Sequence, residues 1–169
     1  MEIVDIVDSD DRITGKIDKD EAHDKGVLHR TAIAEVINSK GEWMLVKQAG
    51  HKQDAGRYVS PVGGHVRSGE TVEQALERES LEEIGIKPEK TKFIGKAIFN
   101  RLTREKQENH YFIVYIIYSD KEPIINEEST EAKRFTEKEI MNLLKDNPRI
   151  FGDAYHFVID NFFPQLKSI

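Results

Sequence analysis

The sequence predicts an α/β fold in which a mixed sheet is packed between helices on both of its faces. Two observations predict it. Four segments rich in β-branched, aromatic and other apolar residues are separated by turn-forming residues, which is typical of strands. Three other segments, interleaved with these strands, have the caps or the apolar spacing of helices. Because 169 residues match one domain of ordinary size, we expect a single domain over residues 1–169.

The predicted strands occupy the first two thirds of the chain. They are residues 28–37, 43–47, 92–99 and 111–118, and a Ser-Lys-Gly turn follows the first of them. Near the C-terminus, Thr136 with Glu139 has the spacing of a capping box, which predicts a helix to about residue 145. A last helix is predicted at residues 153–163.

The most informative helix is predicted between Thr71 and Gly85. Thr71 and Gln74 have the spacing of a capping box, and Gly85 stands where a glycine ends the last turn of many helices. Upstream, Gly63, Gly64 and Gly69 predict a loop whose backbone approaches a ligand closely and adopts positive φ angles. A glycine loop that leads into an acidic helix can hold a metal diphosphate.

Three glutamates lie at the far end of this helix. At about 100° per residue, Glu79 and Glu83 share the apolar face of the helix, and Glu82 lies beside them. Carboxylates ~5 Å apart on a half-buried face repel by roughly 3 kcal/mol per close pair at an effective dielectric near 20. Either one of them is protonated or a cation lies among them. Oxygen ligands presented singly from one helix favour Mg²⁺ or Mn²⁺.

This segment resembles the Nudix hydrolase signature. The pattern is glycine, five residues, glutamate, seven residues and Arg-Glu-x-x-Glu-Glu-x-Gly-Ile, matched at Gly64, Glu70, Arg78, Glu79, Glu82, Glu83, Gly85 and Ile86. Ser80 stands where the family has an aliphatic residue. The resemblance implies a Nudix-type α/β/α sandwich and a hydrolase that cleaves the diphosphate bond of a nucleoside diphosphate linked to another group X.

The resemblance also implies roles for single residues. The expected ligands of Mg²⁺ or Mn²⁺ are the carbonyl of Gly63 and the carboxylates of Glu79, Glu82 and Glu83. Arg78 is expected to orient the glutamates through charge-assisted hydrogen bonds, and Glu82 and Glu83 to take part in catalysis. Glu83 is the first choice for the general base.

Other residues are expected to support this site. Glu70 is expected to contact the metal ligands, or to reach the metal through a water molecule, without binding it directly. Glu127 or Glu128, in the acidic loop NEESTEAKRF, is expected to add a metal ligand or to supply the general base. His65, Arg57 and Arg67 are the expected contacts of the substrate phosphates. Further arginines and aromatic residues are candidates for contacts with phosphate or with a base: Arg101, Arg104, Tyr58, Phe99 and Tyr111.

A second resemblance covers more of the chain. The opening segment, with residues 1–30 as an N-terminal extension, is similar to isopentenyl-diphosphate isomerases and isomerase-like Nudix proteins. Those isomerases transfer protons with a cysteine beside a Gly-His pair. Gly64-His65 is present, but the chain contains no cysteine, and neither Val62 nor Gly63 can transfer a proton. The chain is therefore identified as a member of this branch without its catalytic cysteine.

The isomerase resemblance draws attention to the histidines. His29, His65, Glu108 and His110 fall where the isomerases hold their metal ion, and His23 falls one residue away from the expected spacing. A second, histidine-rich metal site is therefore an alternative to surface or core roles for these residues. Two rival functions also stay open, an isomerase-like protein and a non-catalytic module that binds diphosphates.

Composition restricts the partners. A net charge of −6 without a block of basic residues argues against stable binding to nucleic acid. The longest apolar run, residues 111–118, is too short to span a bilayer, and the acidic opening lacks the regions of a signal peptide. We therefore expect a cytoplasmic protein that acts on a small diphosphate. A homodimer is compatible with the sequence, which contains no feature that defines an interface.

Overall fold

The described strands all join one curled, mixed sheet. The computed structural model describes residues 1–102 and 106–167 and places nine strands in this sheet. They are β1 (Ile3–Val7), β2 (Ile13–Asp18), β3 (His29–Ile37), β4 (Trp43–Gln48), β5 (Tyr58–Val59), β6 (Val62–His65), β7 (Lys90–Leu102), β8 (Gln107–Tyr118) and β9 (Ser129–Phe135). The helices are α1 (Lys19–Lys25), α2 (Val72–Ile84), α3 (Glu137–Asp146) and α4 (Asp153–Phe162), with short 3-10 helices at Pro148–Ile150 and Pro164–Lys167.

Strand β3 organises the sheet. One edge pairs in parallel with β8 along its whole length, from His29 opposite His110 to Ile37 opposite Tyr118. The other edge pairs antiparallel with three strands in turn, first β1, then β6 and finally β4. Strand β6 pairs with the middle of β3, and β4 pairs with its last residues, so the sheet branches along this edge of β3.

Helices cover both faces of the sheet, as predicted. On one face, α2 packs Ala75, Leu76 and Ile84 against β3 residues Ala32 and Ala34. The other face carries α3 and α4, whose buried residues pack with Ile33, Trp43 and Leu45. The predicted α/β sandwich with a mixed sheet is therefore confirmed.

The predicted helices and strands agree with the structure to within a few residues at their ends. The capping boxes of Thr71 with Gln74 and Thr136 with Glu139 are both formed, and Gly85 ends α2 with a φ angle of 66°. Two predicted loops were wrong. Gly63 and Gly64 lie in β6 because they pair with β3, and neither has positive φ, whereas Gly69 has a φ angle of 90°. Most of the acidic loop NEESTEAKRF is β9, held by pairing with β4.

The sequence prediction did not identify the N-terminal hairpin, although β1 and β2 belong to the same sheet as the rest of the chain. Asp18 then caps α1, accepting hydrogen bonds from the backbone N–H groups of Asp20 and Glu21. The hairpin and α1 place His23 beside β3 and β8. The treatment of residues 1–30 as a separate extension stays a prediction.

A buried glutamate in strand β3 leads to a prediction about stability. Glu35 is fully buried, and burial raises its pKa from 4.5 to about 7, against a lowering by the hydrogen bond from Ser60. Because the folded-state pKa of Glu35 is above the unfolded one, the contribution of Glu35 to stability is highest below pH 4.5 and is lost as the pH rises through 7. In the wild type, this titration should lower the free energy of unfolding by roughly 3 kcal/mol. We expect this loss to be absent in Glu35→Gln.

The measurement is urea unfolding of wild type and variant at pH 5 and pH 8. Comparing the two proteins at both pH values cancels the titration of all other groups. Glu77→Gln, an exposed substitution on α2, is the matched control. An equal loss of stability in wild type and Glu35→Gln between the two pH values would show that Glu35 does not titrate in this range.

Candidate active site

The C-terminal half of α2 brings the predicted carboxylates together. Glu79 and Glu83 are half-buried and Glu82 is exposed, which agrees with the predicted face of the helix. Ser80, the departure from the signature, is fully buried, and its hydroxyl donates a hydrogen bond of 2.7 Å to the carbonyl of Ile86. The buried hydroxyl therefore has a partner, and the substitution leaves the carboxylates unchanged.

Arg78 connects the groups around these carboxylates. Its Nε and Nη2 atoms donate to Glu70 at 3.0 and 2.9 Å, and its Nη1 atom donates to Glu79 at 2.6 Å. Nη2 also donates to the backbone carbonyl of His65 at 3.0 Å, and Glu82 lies 3.8 Å from Nη1. These contacts hold the carboxylate of Glu79 and connect β6 to α2. The roles of Arg78 and Glu70 in the reaction stay predictions.

Two glycines of β6 allow the strand to lie directly against the carboxylates. The N–H of Gly63 donates to Oε2 of Glu83 at 2.8 Å. A Cβ atom on Gly64 would lie only 2.1 Å from Cδ of Glu79, so a side chain at residue 64 would displace that carboxylate. Gly64 is thus required for space and not for its φ angle. At Gly63, the nearest atom to an added Cβ is Cγ1 of Ile33, 3.9 Å away.

The positive side chains near these carboxylates, Arg78 and Lys52, balance their negative charge only in part. Burial raises the pKa of Glu83 well above its usual value, and the charges of Glu79 and Glu128 raise it further. Burial also raises the pKa of Glu79, with Glu82 and Glu2 adding to the effect against Arg78. In Glu70, by contrast, the bonds from Arg78 outweigh burial and lower the pKa. A divalent cation would supply the missing charge next to Glu79 and Glu83.

Four histidines from four different elements form a second cluster. His23 comes from α1, His29 from β3, His65 from β6 and His110 from β8, and one candidate ligand atom of each lies within 4.8 Å of the others. The Nε2 atoms of His23 and His110 are 3.2 Å apart. This separation is close to an edge of a tetrahedral site with metal–nitrogen bonds of ~2.0–2.1 Å.

The hydrogen bonds and the protonation of these histidines fit a metal site. The Nδ1 atom of His29 lies 2.8 Å from the carbonyl of Val27, which leaves Nε2 buried without a partner in the described structure. Burial lowers the pKa of His29 to about 4 and lowers those of His65 and His110 well below the usual value. Neutral imidazoles with a free nitrogen are the form that binds Zn²⁺ and related metals.

Glu108, the acidic residue expected near this cluster, is engaged elsewhere. Arg101 donates to its Oε2 atom from Nε at 2.9 Å and lies 2.8 Å from it through Nη2. The same guanidinium lies 3.2 Å from Asp54, in the loop between β4 and β5. The cluster consequently offers four imidazoles, while Glu108 stays beside it as the partner of Arg101.

A cleft of about 240 Å³ joins the two clusters. Gly63, Gly64 and Glu83 line one part of it, and His65, Glu108 and His110 line another. The rest of its wall is mixed. The apolar part comes from β3, β5, β7, β8 and α4: Ile33, Val59, Phe99, Phe112, Ala154 and Val158. Polar and charged side chains also line it, among them Gln48, Lys52, Gln53, Asp54 and Arg101. A ligand in this cleft would contact both clusters.

Among the residues expected to contact phosphate, His65 lines the cleft and the two arginines do not. Arg57 lies 3.5 Å from Asp153, and Arg67 lies 3.5 Å from Glu2, which also lies 3.6 Å from Nδ1 of His65. Arg101 is in the cleft wall. Arg104 lies outside the described residues. The roles of Arg57 and Arg67 in phosphate binding stay predictions.

Of the other candidate residues, some lie at the cleft and some make contacts elsewhere in the fold. Glu128 lies close enough to Glu83 to influence its pKa and pairs with Lys52 at 2.9 Å. Phe99 lines the cleft. The hydroxyls of Tyr58 and Tyr111 instead donate to Glu131 and to the carbonyl of Ser9, respectively.

Several cleft residues carried no recognisable signal in the sequence. Thr31, Asp54, Ser60 and Tyr155 are brought to the cleft from β3, two connecting segments and α4. A single serine or tyrosine in such an element matches no spacing rule. Asp54 follows a turn-rich stretch, and its position beside Arg101 depends on the pairing of β7 with β8.

In the described part of the chain, every helix is too short or too polar to cross a membrane. The family model described as the NUDIX domain matches residues 27–153. A protein named isopentenyl-diphosphate Delta-isomerase 2, from Photorhabdus laumondii, is 35% identical over 164 residues, which cover 94% of this chain and 91% of the relative. An uncharacterised Nudix hydrolase from Nostoc is 32% identical over 130 residues, or 75% of each chain.

A solved structure also matches over almost the whole chain. It is a crystal structure of a Deinococcus radiodurans protein, which superimposes with a TM-score of 0.73 at 25% identity. The match covers 94% of this chain and 98% of that one.

Proposed function

Because the chain belongs to the NUDIX domain family, we propose that it is a hydrolase dependent on Mg²⁺ or Mn²⁺. Its substrate is a nucleoside diphosphate linked to X or a related small diphosphate. The observation that carries the proposal is the grouping of Glu79, Glu82 and Glu83 at the end of α2, where Glu83 accepts from β6 and Arg78 contacts Glu79 and Glu82 but balances their charge only in part. Hydrolases of this kind need such a site to hold a metal diphosphate.

Each residue of the acidic site has a proposed role in hydrolysis. A divalent cation at Glu79, Glu82 and Glu83, with the Gly63 carbonyl, would neutralise the diphosphate and lower the pKa of a bound water. Glu83 accepts the proton of the attacking water, while its bond from the Gly63 N–H keeps the carboxylate in place. Arg78 and Glu70 hold Glu79 in its orientation, and Glu128 is the alternative base. No nucleophile from the protein is required.

Isomerase activity is the first alternative, since a 35% identical relative bears that name. The mechanism implied by the isomerase resemblance needs a thiol beside Gly64-His65, and the sequence has no cysteine. Gly63, near where that thiol would be needed, has no side chain, and an added Cβ there would contact Cγ1 of Ile33 at 3.9 Å. A non-catalytic binding module is the second alternative, and the complete set of carboxylates argues against it because binding alone does not need a base.

We also propose that the histidine cluster binds a transition metal ion. Its support is the buried, unpartnered Nε2 atom of His29 among three further imidazoles. Imidazole ligands favour Zn²⁺, Co²⁺ or Ni²⁺ over Mg²⁺. The two proposed metal sites therefore differ in the metal that they select.

Cobalt titration followed by visible absorption tests the histidine site. We expect a tetrahedral Co²⁺ spectrum in the wild type and a loss of at least roughly a hundredfold in affinity in His29→Ala, because ligand loss exceeds the effect of losing a supporting residue. His51→Ala, at an exposed histidine outside the cluster, serves as the control. Equal Co²⁺ binding in His29→Ala and wild type would remove the cluster as a metal site.

The activity is tested with a panel of diphosphates in Mg²⁺, in Mn²⁺ and after chelation, with identification of the products. The panel contains nucleoside di- and triphosphates, ADP-ribose, dinucleotides, coenzyme A and isopentenyl diphosphate. We expect metal-dependent release of a phosphorylated product from at least one compound. Formation of an isomer without phosphate release would favour the isomerase, and complete inertness would favour the binding module.

The same proposal includes the location of the protein and its binding partners. We expect a cytoplasmic enzyme whose partner is its small diphosphate substrate, without stable binding to nucleic acid or membranes. A homodimer is compatible with the fold, and its test is the molecular mass in solution.

A further inference from the structure

The substrate of the proposed reaction brings negative charge to a site that is already acidic. A diphosphate would approach Glu79, Glu82 and Glu83, and each divalent cation balances only two negative charges. A further positive group at the cleft would therefore favour binding of the anion. Among the described residues that line the cleft, the lysines and arginines are Lys52 and Arg101.

Arg101 already has acidic partners in the cleft wall. Its guanidinium lies 2.8 Å from Glu108 and 3.2 Å from Asp54, and both of these carboxylates are well shielded from solvent. It also lies over the ring of Phe99, 5.5 Å from the ring centroid. Moving Arg101 to a phosphate would leave two shielded carboxylates without a positive partner, which is unfavourable. Arg101 is therefore unsuited to follow a phosphate group.

Lys52 differs from Arg101 in exposure and in the number of its partners. In the described structure, its Nζ atom donates one hydrogen bond, of 2.9 Å, to Oε1 of Glu128. An ammonium group has three N–H bonds, so two of them are available to a ligand. The side chains of Lys52 and Glu128 are 34% and 37% exposed, and exposed ion pairs contribute little to stability. Lys52 can therefore exchange Glu128 for a stronger anionic partner.

Hydrogen bonds hold this ion pair beside the acidic helix. The side-chain amide of Asn126 donates to the carbonyl of Glu82 at 2.9 Å, and its oxygen accepts from the N–H of Glu128 at 3.0 Å. The N–H of Ala49, three residues before Lys52, donates to the carbonyl of Glu128 at 2.9 Å. Both members of the pair are thus held near the C-terminal half of α2.

Two further observations relate Lys52 to the proposed reaction site. Lys52, Gly63 and Glu83 line the same cleft. Burial raises the pKa of Glu83 well above its usual value, and the charge of Lys52 acts in the opposite direction, so these two side chains are close in space. A diphosphate held by a cation at Glu83 would therefore have Lys52 beside it.

We propose that Lys52 is a phosphate-binding residue that exchanges Glu128 for the substrate. This rests on the proposed function, since it concerns the diphosphate of the same site. In the free protein, the ammonium pairs with Glu128. In the presence of the metal diphosphate, it donates instead to a phosphoryl oxygen, because charge-assisted hydrogen bonds to phosphate are strong. The carboxylate of Glu128 is then released to contact the metal or its bound water.

The first test is calorimetric binding of methylenediphosphonate, a diphosphate analogue that cannot be hydrolysed, at saturating Mg²⁺. We expect Lys52→Met to weaken this binding by at least about tenfold, because a charge-assisted hydrogen bond is lost. Lys52→Arg keeps the charge and should retain most of the affinity. Lys47→Met is the matched control, since Lys47 lies outside the cleft lining, is 36% exposed and pairs with Glu131 at 3.8 Å.

Binding of Mn²⁺ alone separates this role from a structural one. Without a diphosphate, the positive charge of Lys52 opposes a cation at Glu83. The Mn²⁺ affinity of Lys52→Met should therefore equal or exceed that of the wild type. A variant with a disturbed acidic site would instead bind both Mn²⁺ and methylenediphosphonate more weakly. That result, or wild-type binding of methylenediphosphonate, would overturn the proposal.

The exchange of partners is tested in a second background. In Glu128→Gln, the resting partner of Lys52 has lost its charge. If Lys52 contacts the phosphate directly, Lys52→Met should still weaken binding of methylenediphosphonate by at least about tenfold in this background. Disappearance of the effect would show that Lys52 acts only through Glu128 and would contradict a contact with phosphate.

These measurements also distinguish failure of this proposal from failure of the hydrolase. If no compound of the diphosphate panel is cleaved, but Lys52→Met still loses affinity for methylenediphosphonate, the proposed hydrolysis is contradicted and the phosphate contact is supported. In an active protein, wild-type values of both kcat/KM and methylenediphosphonate affinity in Lys52→Met would contradict the role of Lys52 alone.

Discussion

Glu83→Gln is expected to lower kcat by about 10²–10⁴-fold, the range associated with loss of a general base. Glutamine has almost the same shape, and its carbonyl can still accept the hydrogen bond from Gly63. It cannot accept the proton of the attacking water, and it contributes no charge to a bound cation. The variant should therefore fold normally and lose its chemistry.

The measurement is kcat at saturating Mg²⁺ with the best substrate of the diphosphate panel. Saturation separates loss of the base from weaker binding of the metal. Glu77→Gln, an exposed glutamate on the same helix, controls for the general effect of removing a charge. Near-wild-type turnover of Glu83→Gln would exclude Glu83 as the base and direct attention to Glu128.

Gly64→Ala is expected to weaken metal binding by at least about tenfold and to lower kcat by a similar or larger factor. An added Cβ would lie 2.1 Å from Cδ of Glu79, which forces the carboxylate out of its position. The atoms that must move belong to the end of a side chain, so the backbone can keep its course. Glu79 would also lose its geometry with Arg78, now 2.6 Å away.

Mn²⁺ affinity, measured by electron paramagnetic resonance, is the direct readout for Gly64→Ala. Gly50→Ala is a matched control, because an added Cβ there meets no atom within 4 Å. The account expects weak Mn²⁺ binding only in the variant at residue 64, with circular dichroism spectra like that of wild type in both. Unchanged Mn²⁺ affinity would show that the position of Glu79 does not determine metal binding.

The local features of the fold could be predicted because their signals lie within a few residues. Both capping boxes, the glycine at residue 85 and the face of the acidic helix depend on spacing alone. Strands β6 and β9 could not be predicted in this way. Glycines and charged residues have low strand propensity, and pairing with β3 and β4 overrides it.

The two parts of the site differ in the same respect. The proposed acidic ligands come from one helix, so the helical period predicts their common face. The four histidines come from four elements, and only the pairing of β3 with β6 and β8, with α1 packed beside them, brings their rings together. The resemblance to the isomerases indicated most of these positions, whereas Thr31, Ser60 and Tyr155 were found only through the tertiary structure.

Hydrolysis in water labelled with oxygen-18, followed by ³¹P NMR, tests the central proposal most directly. If water attacks phosphorus at the carboxylate site, one phosphate product carries the label, and the alcohol oxygen of X does not. This incorporation should require Mg²⁺ or Mn²⁺ and should fall with kcat in Glu83→Gln. A labelled X group with unlabelled phosphate, or an isomerised diphosphate without label, would contradict the account.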